Sequence, residues 1–355
     1  MEKKTIVKLA TALLFLVTVL LGYFWNDVQD YVNLRIHPLP DIIVLTQNGN
    51  SPLSPPEGYS VQILASRLDQ PRTMVIDPMD KVIAAIAGEG TIRVFTDAEQ
   101  DTQSTVLLSD LNRPHGLALT CTDTCKLAIA ESNKVTIWDY DPDSVSITSP
   151  QQIDNLDDSG THYAKGVIFD PKNPNILYIF SGSTCNVCHE TTPGRAAIQK
   201  VDVSEEPLEV TLFASGLRNS LFGAINPSTQ EIWMTEISRD FLDGGLPPDE
   251  INILSAGNNY GWPQCYGNNV HDRDFDNNLY QLPKGMSICE SYNAIPPHIE
   301  LPAHVSPMGI VFTDASATLA KEYPYDALVA YHEGNGQPKI IKLDLDQAGN
   351  LEKIE

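Results

Sequence analysis

Five places in the sequence set a cation or an imidazole just ahead of a short apolar run: Arg72, His115, His162, Arg218 with Asn219, and His304. A neutral imidazole takes up a proton at pH 7, and a guanidinium holds developing negative charge. The set therefore suits general-base chemistry on an anionic or polar partner. The stretch from Ala214 to Gly267 adds Glu236, Arg239, Asp240, Asp249 and Glu250, which read as an acid-rich loop following two strands. Oxygen ligands gathered in this way can hold a hard cation, although a solvated acidic loop is the simpler alternative. For a single histidine, a hydrogen-bonded core position is the bland reading. Several ionisable groups brought together are costly without a partner, and that favours one shared site.

The elements that must position these groups repeat. QPRTMVIDP, RPHGLALT, THYAKGVIFDP, LRNSLFGAINP and AHVSPMGIVF each place polar or charged residues before a short apolar strand and, in most, a turn follows. Second strands follow in VIAAIA, KLAIAE, ILYIFS, EIWMTE and ALVAYH, and third strands include TIRVF, VTIWDY, AAIQKVDV and KIIKLDL. The spacing grows from about 43 to about 56 residues, with a longer gap before the last repeat, and long helical patterns are absent. An all-β fold, a β-propeller, is expected, with the leading residues of the innermost strands gathered at one mouth of the central channel. HGLAL followed by VTIWDYD imitates a WD40 blade, but His115-Gly116 has the reversed order and no other repeat ends in Trp-Asp.

The chain has 355 residues, with 23 basic and 46 acidic side chains and a net charge of −23. It has no basic footprint for phosphates, so nucleic acid is not expected as a partner. Six cysteines fall in local pairs, Cys121/Cys125, Cys185/Cys188 and Cys265/Cys289. Sequence-local disulfides in an oxidising compartment are the simplest assignment, with zinc as the weaker alternative. Cys185-Asn186-Val187-Cys188-His189 also spells the c-type haem attachment motif, against which stands its position between strands inside a repeat. Lysines precede an uncharged run from Leu9 to Trp25 of about 17 residues, and no small-x-small cleavage site follows it. A transmembrane signal anchor over residues 1–25 is therefore expected, with a linker over 26–57 and the propeller domain over 58–355. That orientation puts the domain on the periplasmic or extracellular face.

Taken together, THYAKGVIFDP, GSTCNVC, RAAIQKVDV, SGLRN, the RD…LPPDEIN segment, NNYGWPQCYG and LPAHVSPMGIVF resemble the soluble quinoprotein glucose/sorbosone dehydrogenase family over about Pro56 to Leu345. The resemblance implies a six-bladed β-propeller, Ca²⁺, pyrroloquinoline quinone (PQQ) and oxidation of a sugar or related aldehyde, with an external quinone or cytochrome as electron acceptor. It also implies His162 as the catalytic base, with Arg218 and Asn219 beside the cofactor. Carbonyls near Ser238 and Arg239 would hold the cofactor Ca²⁺, and Glu250 with Tyr260 would form a second, structural Ca²⁺ site. Asp240, His304 and His332 are further candidates for cofactor contact. Around His332 the chain reads YHEGNGQPK, where family members carry a His-Gly-Ser-Trp-Asn-Arg-like run. Five repeats are legible, so the last blade is expected to be missing or incomplete. A non-catalytic binding propeller and a Ca²⁺-dependent lactonase are the competing readings.

Overall fold

The computed structural model describes residues 64–96, 104–242, 244–276, 282–283, 286–313, 325–332 and 338–355. Short β-branched runs separated by turns fold into antiparallel four-stranded sheets that follow one another along the chain. The first holds β1 (Pro71–Ile76), β2 (Val82–Ile86), β3 (Thr91–Phe95) and β4 (Ser104–Leu108). The second holds β5 (Gly116–Cys121), β6 (Cys125–Ala130), β7 (Val135–Asp141) and β8 (Ser146–Ile153). The third is β9 (Lys165–Phe169), β10 (Ile176–Ser181), β11 (Ala197–Asp202) and β12 (Thr211–Ser215).

The fourth sheet departs from simple succession. β13 (Gly223–Ile225), β14 (Ile232–Glu236) and β15 (Pro248–Ile253) pair in order, but the outer strand is β18 (Ile299–Ala303). The intervening chain carries β16 (Cys265–Tyr266), β17 (Val270–His271) and a one-turn helix, α1 (Ile288–Ser291), stapled by the Cys265–Cys289 disulfide. The fifth sheet is β19 (Pro307–Phe312), β20 (Ala327–Tyr331), β21 (Lys339–Leu345) and β22 (Leu351–Ile354).

This is an all-β propeller, and it corrects the expected blade count. Among the described residues there are five four-stranded blades, not six. The same residues contain no helix long and apolar enough to cross a membrane, and the apolar run 9–25 expected to do so lies outside them, as does the linker 26–57. The repeat count was visible in the sequence, whereas the sixth blade came from the resemblance alone.

Among the described residues, each seam between blades consecutive in the chain is a separate apolar core, and a strand feeds two of them through its period of two. All six residues of β10 are buried. Leu177 and Ile179 pack towards the second blade with Ala128, Val135 and Ile137, while Tyr178 and Phe180 pack towards the fourth with Ile232 and Met234. Burying each such side chain contributes about 1.5–3 kcal/mol. Where inner strands converge there is no room for side chains: a Cβ on Gly166 would lie 2.0 Å from the Leu221 carbonyl oxygen.

Candidate active site

His162 precedes β9 at the rim, half-buried, and its Nδ1 lies 2.8 Å from Ser183 Oγ and 3.1 Å from the Ser183 carbonyl. The Ser183 hydroxyl donates its proton to the Cys185 carbonyl at 2.5 Å, and the Ser183 carbonyl has no proton to give. Nδ1 must therefore be the protonated nitrogen, which leaves the Nε2 lone pair open, and Nε2 makes no hydrogen bond to a described residue. Burial first, then the charges of Arg218 and Arg195, press the His162 pKa down to about 3, so the ring is neutral at pH 7.

Two buried arginines frame this histidine, and each has all five N–H groups engaged. Arg195 donates to the carbonyls of Gly182, Asp157, Ser159, His162 and Ser183, which fixes the backbone on both sides of the ring. Arg218 donates Nε to the Asn186 carbonyl (3.0 Å) and Nη1 to the carbonyls of Ile237 and Ser238 (3.2 and 2.9 Å). Its Nη2 donates to Asn186 Oδ1 (2.9 Å) and to the half-exposed Asp240 carboxylate (2.6 Å). Arg218 thus acts on the site as a fixed charge and a brace for the loop after β14. His162, Arg218 and Asn219 meet around Gly182, where a Cβ would lie 2.6 Å from His162 Cβ and 2.8 Å from Asn219 Oδ1. That Asn219 oxygen is buried without a hydrogen-bond partner.

Glu236 and Glu250, read from sequence as loop residues, instead face each other on paired strands β14 and β15. Both are buried. Glu236 Oε1 accepts from the amides of Arg218 and Asn219, whereas Oε2 has no partner. Glu250 accepts from the Gly267 amide and from Asn252 Nδ2. Burial pushes the Glu250 carboxyl up to about 7; burial and then the Glu250 charge push Glu236 well above the carboxylate range. A cavity of about 20 Å³ lies among Glu236, Ser238, Arg239, Glu250, Tyr260 and Asp272, enough for one ion or water. The four candidate metal ligands, assigned from sequence to two sites, therefore line one cavity. The Tyr260 hydroxyl points elsewhere and donates to the Ile253 carbonyl at 2.6 Å, and the Ser238 carbonyl is held by Arg218. Glu236, with its orphan oxygen, is the better-placed donor that sequence reading did not single out.

The remaining candidates are distributed around the rim. Arg72 is exposed, but His115 is buried against Phe222 and pressed to a pKa of about 4 by burial and then by Arg72. Arg113 stacks on the Tyr163 ring at 4.7 Å. His304 is exposed, and the two oxygens of nearby Asp249 accept from the amides of Ser238 and Ser306. His332 is exposed, and its amide donates to the Ser306 carbonyl. Cys121–Cys125, Cys185–Cys188 and Cys265–Cys289 are disulfides, so Cys185 and Cys188 have no thiols to offer haem or zinc, and His189 packs edge-on against Phe275.

The residues fit the cofactor and metal that the resemblance implies. A quinone cofactor fits a rim with an open imidazole nitrogen, a buried amide oxygen able to accept an N–H, and the positive field of Arg218 and Arg195; a hard divalent cation fits an orphaned buried carboxylate oxygen facing a second carboxylate. Several known proteins are similar to this chain. A PQQ-dependent sugar dehydrogenase of Hypocrea jecorina is 25% identical over 83% of this chain and 79% of its own length. The structure of Trichoderma reesei Carbohydrate-Active Enzymes Family AA12 aligns with TM-score 0.66 at 23% identity over 82% of each chain. The holo form of the pyranose dehydrogenase PQQ domain of Coprinopsis cinerea aligns with TM-score 0.66 at 20% identity, over 82% of this chain and 80% of that one.

With these relatives, the propeller and its rim define an oxidoreductase of the quinoprotein sugar dehydrogenase class. The family model described as TrAA12-like matches residues 53–337, and the chain belongs to that family.

Proposed function

We propose that this protein oxidises a sugar, or the hydrate of a sugar-derived aldehyde, with PQQ held at the rim beside His162 and Ca²⁺ held by the Glu236–Glu250 cavity and neighbouring carbonyls. The observation that carries this reading is the neutral Nδ1-protonated His162, whose open Nε2 is a general base ready for a hydroxyl proton. PQQ, when bound, supplies a two-electron acceptor for the hydride that leaves the same carbon. Nε2 receives the proton, and the resulting imidazolium keeps its Nδ1–H on Ser183. Arg195 holds the backbone around the ring, so the base does not reorganise as it charges. Arg218 adds a fixed positive field beside the developing alkoxide. Three disulfides suit an exported protein whose reoxidant is a small quinone or a cytochrome.

The test loads the purified protein with PQQ and Ca²⁺ and follows dye reduction with glucose and other pyranoses. The wild type is expected to turn over, and His162→Ala to lose about 10²–10⁴ of kcat with an unchanged melting temperature. No absorbance change or thermal shift on adding PQQ and Ca²⁺ to the wild type would point to a binding propeller instead. Release of acid from lactones with no electron acceptor would point to a hydrolase.

A further inference from the structure

The tetrapeptide Cys185–Cys188 touches both halves of the site. On one side, the Cys185 carbonyl takes the Ser183 hydroxyl proton, which turns the Ser183 oxygen into an acceptor for His162 Nδ1. On the other, the Asn186 side-chain amide pairs with the backbone of Asp240 as one strand pairs with another. Its Oδ1 accepts from the Asp240 amide (2.9 Å) and its Nδ2 donates to the Asp240 carbonyl (3.2 Å). Oδ1 also accepts from Arg218 Nη2, and the Asn186 carbonyl accepts from Arg218 Nε (3.0 Å) and Trp262 Nε1 (3.3 Å). Asn186 thus ties the third blade to the loop after β14, across 54 residues of sequence, using every polar atom of its side chain.

An amide with this many partners has to be presented at one angle. The ring closed by Cys185–Cys188 spans three residues of separation and restricts the backbone that carries it. We infer that this disulfide-closed loop is the positioning element of the site, with Asn186 as a positioning residue that sets the Arg218–Asp240 brace and the Ser238–Arg239 backbone. Through the Cys185 carbonyl, the same loop helps set which nitrogen of His162 is free. The consequence for catalysis rests on the sugar-oxidation reading above, but the positioning itself can be seen without cofactor.

The experiment compares the wild type with Asn186→Ala, Cys185→Ser/Cys188→Ser and a control, Cys121→Ser/Cys125→Ser, whose disulfide joins β5 to β6 at the far end from His115. In cofactor-free protein, hydrogen exchange of the Asp240 amide and the ¹⁵N shifts of the His162 ring are recorded. Asn186→Ala should speed Asp240 exchange at least tenfold and leave the His162 tautomer unchanged. Loss of the Cys185–Cys188 bridge should speed that exchange and also populate the Nε2–H tautomer. The control should move neither. In the loaded enzyme, Asn186→Ala should lower kcat at least tenfold, with less than a twofold change in melting-curve midpoint concentration of urea. If Cys185→Ser/Cys188→Ser does not fold, Asn186→Ala decides with the disulfide intact. Unchanged Asp240 exchange in Asn186→Ala, or equal effects from the control, overturns the inference. Altered exchange in a protein that shows no sugar oxidation upholds the positioning and removes the proposed activity instead.

Discussion

Replacing Glu250 by Gln should make the metal-free protein more stable at pH 8 and slightly less stable at pH 5. Burial raises the folded-state pKa of Glu250 from its usual 4.5 to about 7. A carboxyl raised on folding contributes stability that is fully present below the unfolded pKa and is lost as pH rises through the folded one. Above pH 7 the ionised carboxylate therefore costs the fold about 3 kcal/mol, at about 1.4 kcal/mol per pH unit. The Gln side chain escapes that cost but keeps a single acceptor for the two donors, Gly267 N and Asn252 Nδ2, which forfeits about 1 kcal/mol. The net gain is about 2 kcal/mol at pH 8, shrinking with acid to a slight loss by pH 5 that approaches about 1 kcal/mol only below pH 4. Urea unfolding in EDTA at the two pH values reads this directly. With Ca²⁺ at a hundred times its Kd, the wild type should gain about 2.7 kcal/mol and Glu250→Gln far less. A variant equally destabilised at pH 5 and pH 8, with the Ca²⁺ gain intact, would refute both the buried-charge argument and the metal assignment.

Arg218→Lys replaces five forked donors by three on a point charge. Losing two charge-assisted hydrogen bonds at about 1.5–3 kcal/mol each should cost about 3–6 kcal/mol in a thermal melt, and retention of full stability would show that the brace is dispensable. His115→Phe should abolish an acid sensitivity. Its folded pKa of about 4 lies below the usual 6.5, so the neutral form stabilises the fold above 6.5 and that contribution fades as pH falls towards 4. At pH 5 the difference is about 2 kcal/mol, read from urea midpoints of the two proteins at pH 7 and 5. Phe241 has φ 65° and is 73% exposed, so Phe241→Gly should stabilise by about 1 kcal/mol by relieving a left-handed backbone without emptying a core. A lower midpoint in the variant would mean that the ring makes contacts that repay the strain.

Much of the propeller was readable because each blade announces itself locally, as alternating runs closed by turns. The heads of the inner strands pointed to His162, Arg218 and Asn219, which do meet around Gly182. What stayed hidden depends on pairing between distant segments. Nothing beside Asn186 tells of Asp240, and Arg195 looks like an ordinary strand-leading arginine until its five carbonyl partners are assembled. Glu236 was visible as an acid, but its place opposite Glu250 needs the register of β14 on β15. His115 leads its inner strand as His162 does, but it lies one residue before β5 whereas His162 lies three before β9. His115 is buried there, because β5 and β9 approach closely where Gly116 and Lys165 meet, a Cβ at Gly116 falling 2.7 Å from the Lys165 carbonyl.

The alternation of β10, odd residues facing one neighbour and even residues the other, sets a rule for how such a chain can change through evolution. Inserting or deleting one codon inside a middle strand would present each hydrophobic set to the wrong seam and disrupt two cores at once. The tolerated changes in length should therefore fall in the connections between strands. The long excursion between β15 and β18, which pair despite the chain that separates them, is such a place. Divergent homologues should vary in size there while their middle strands keep a constant count.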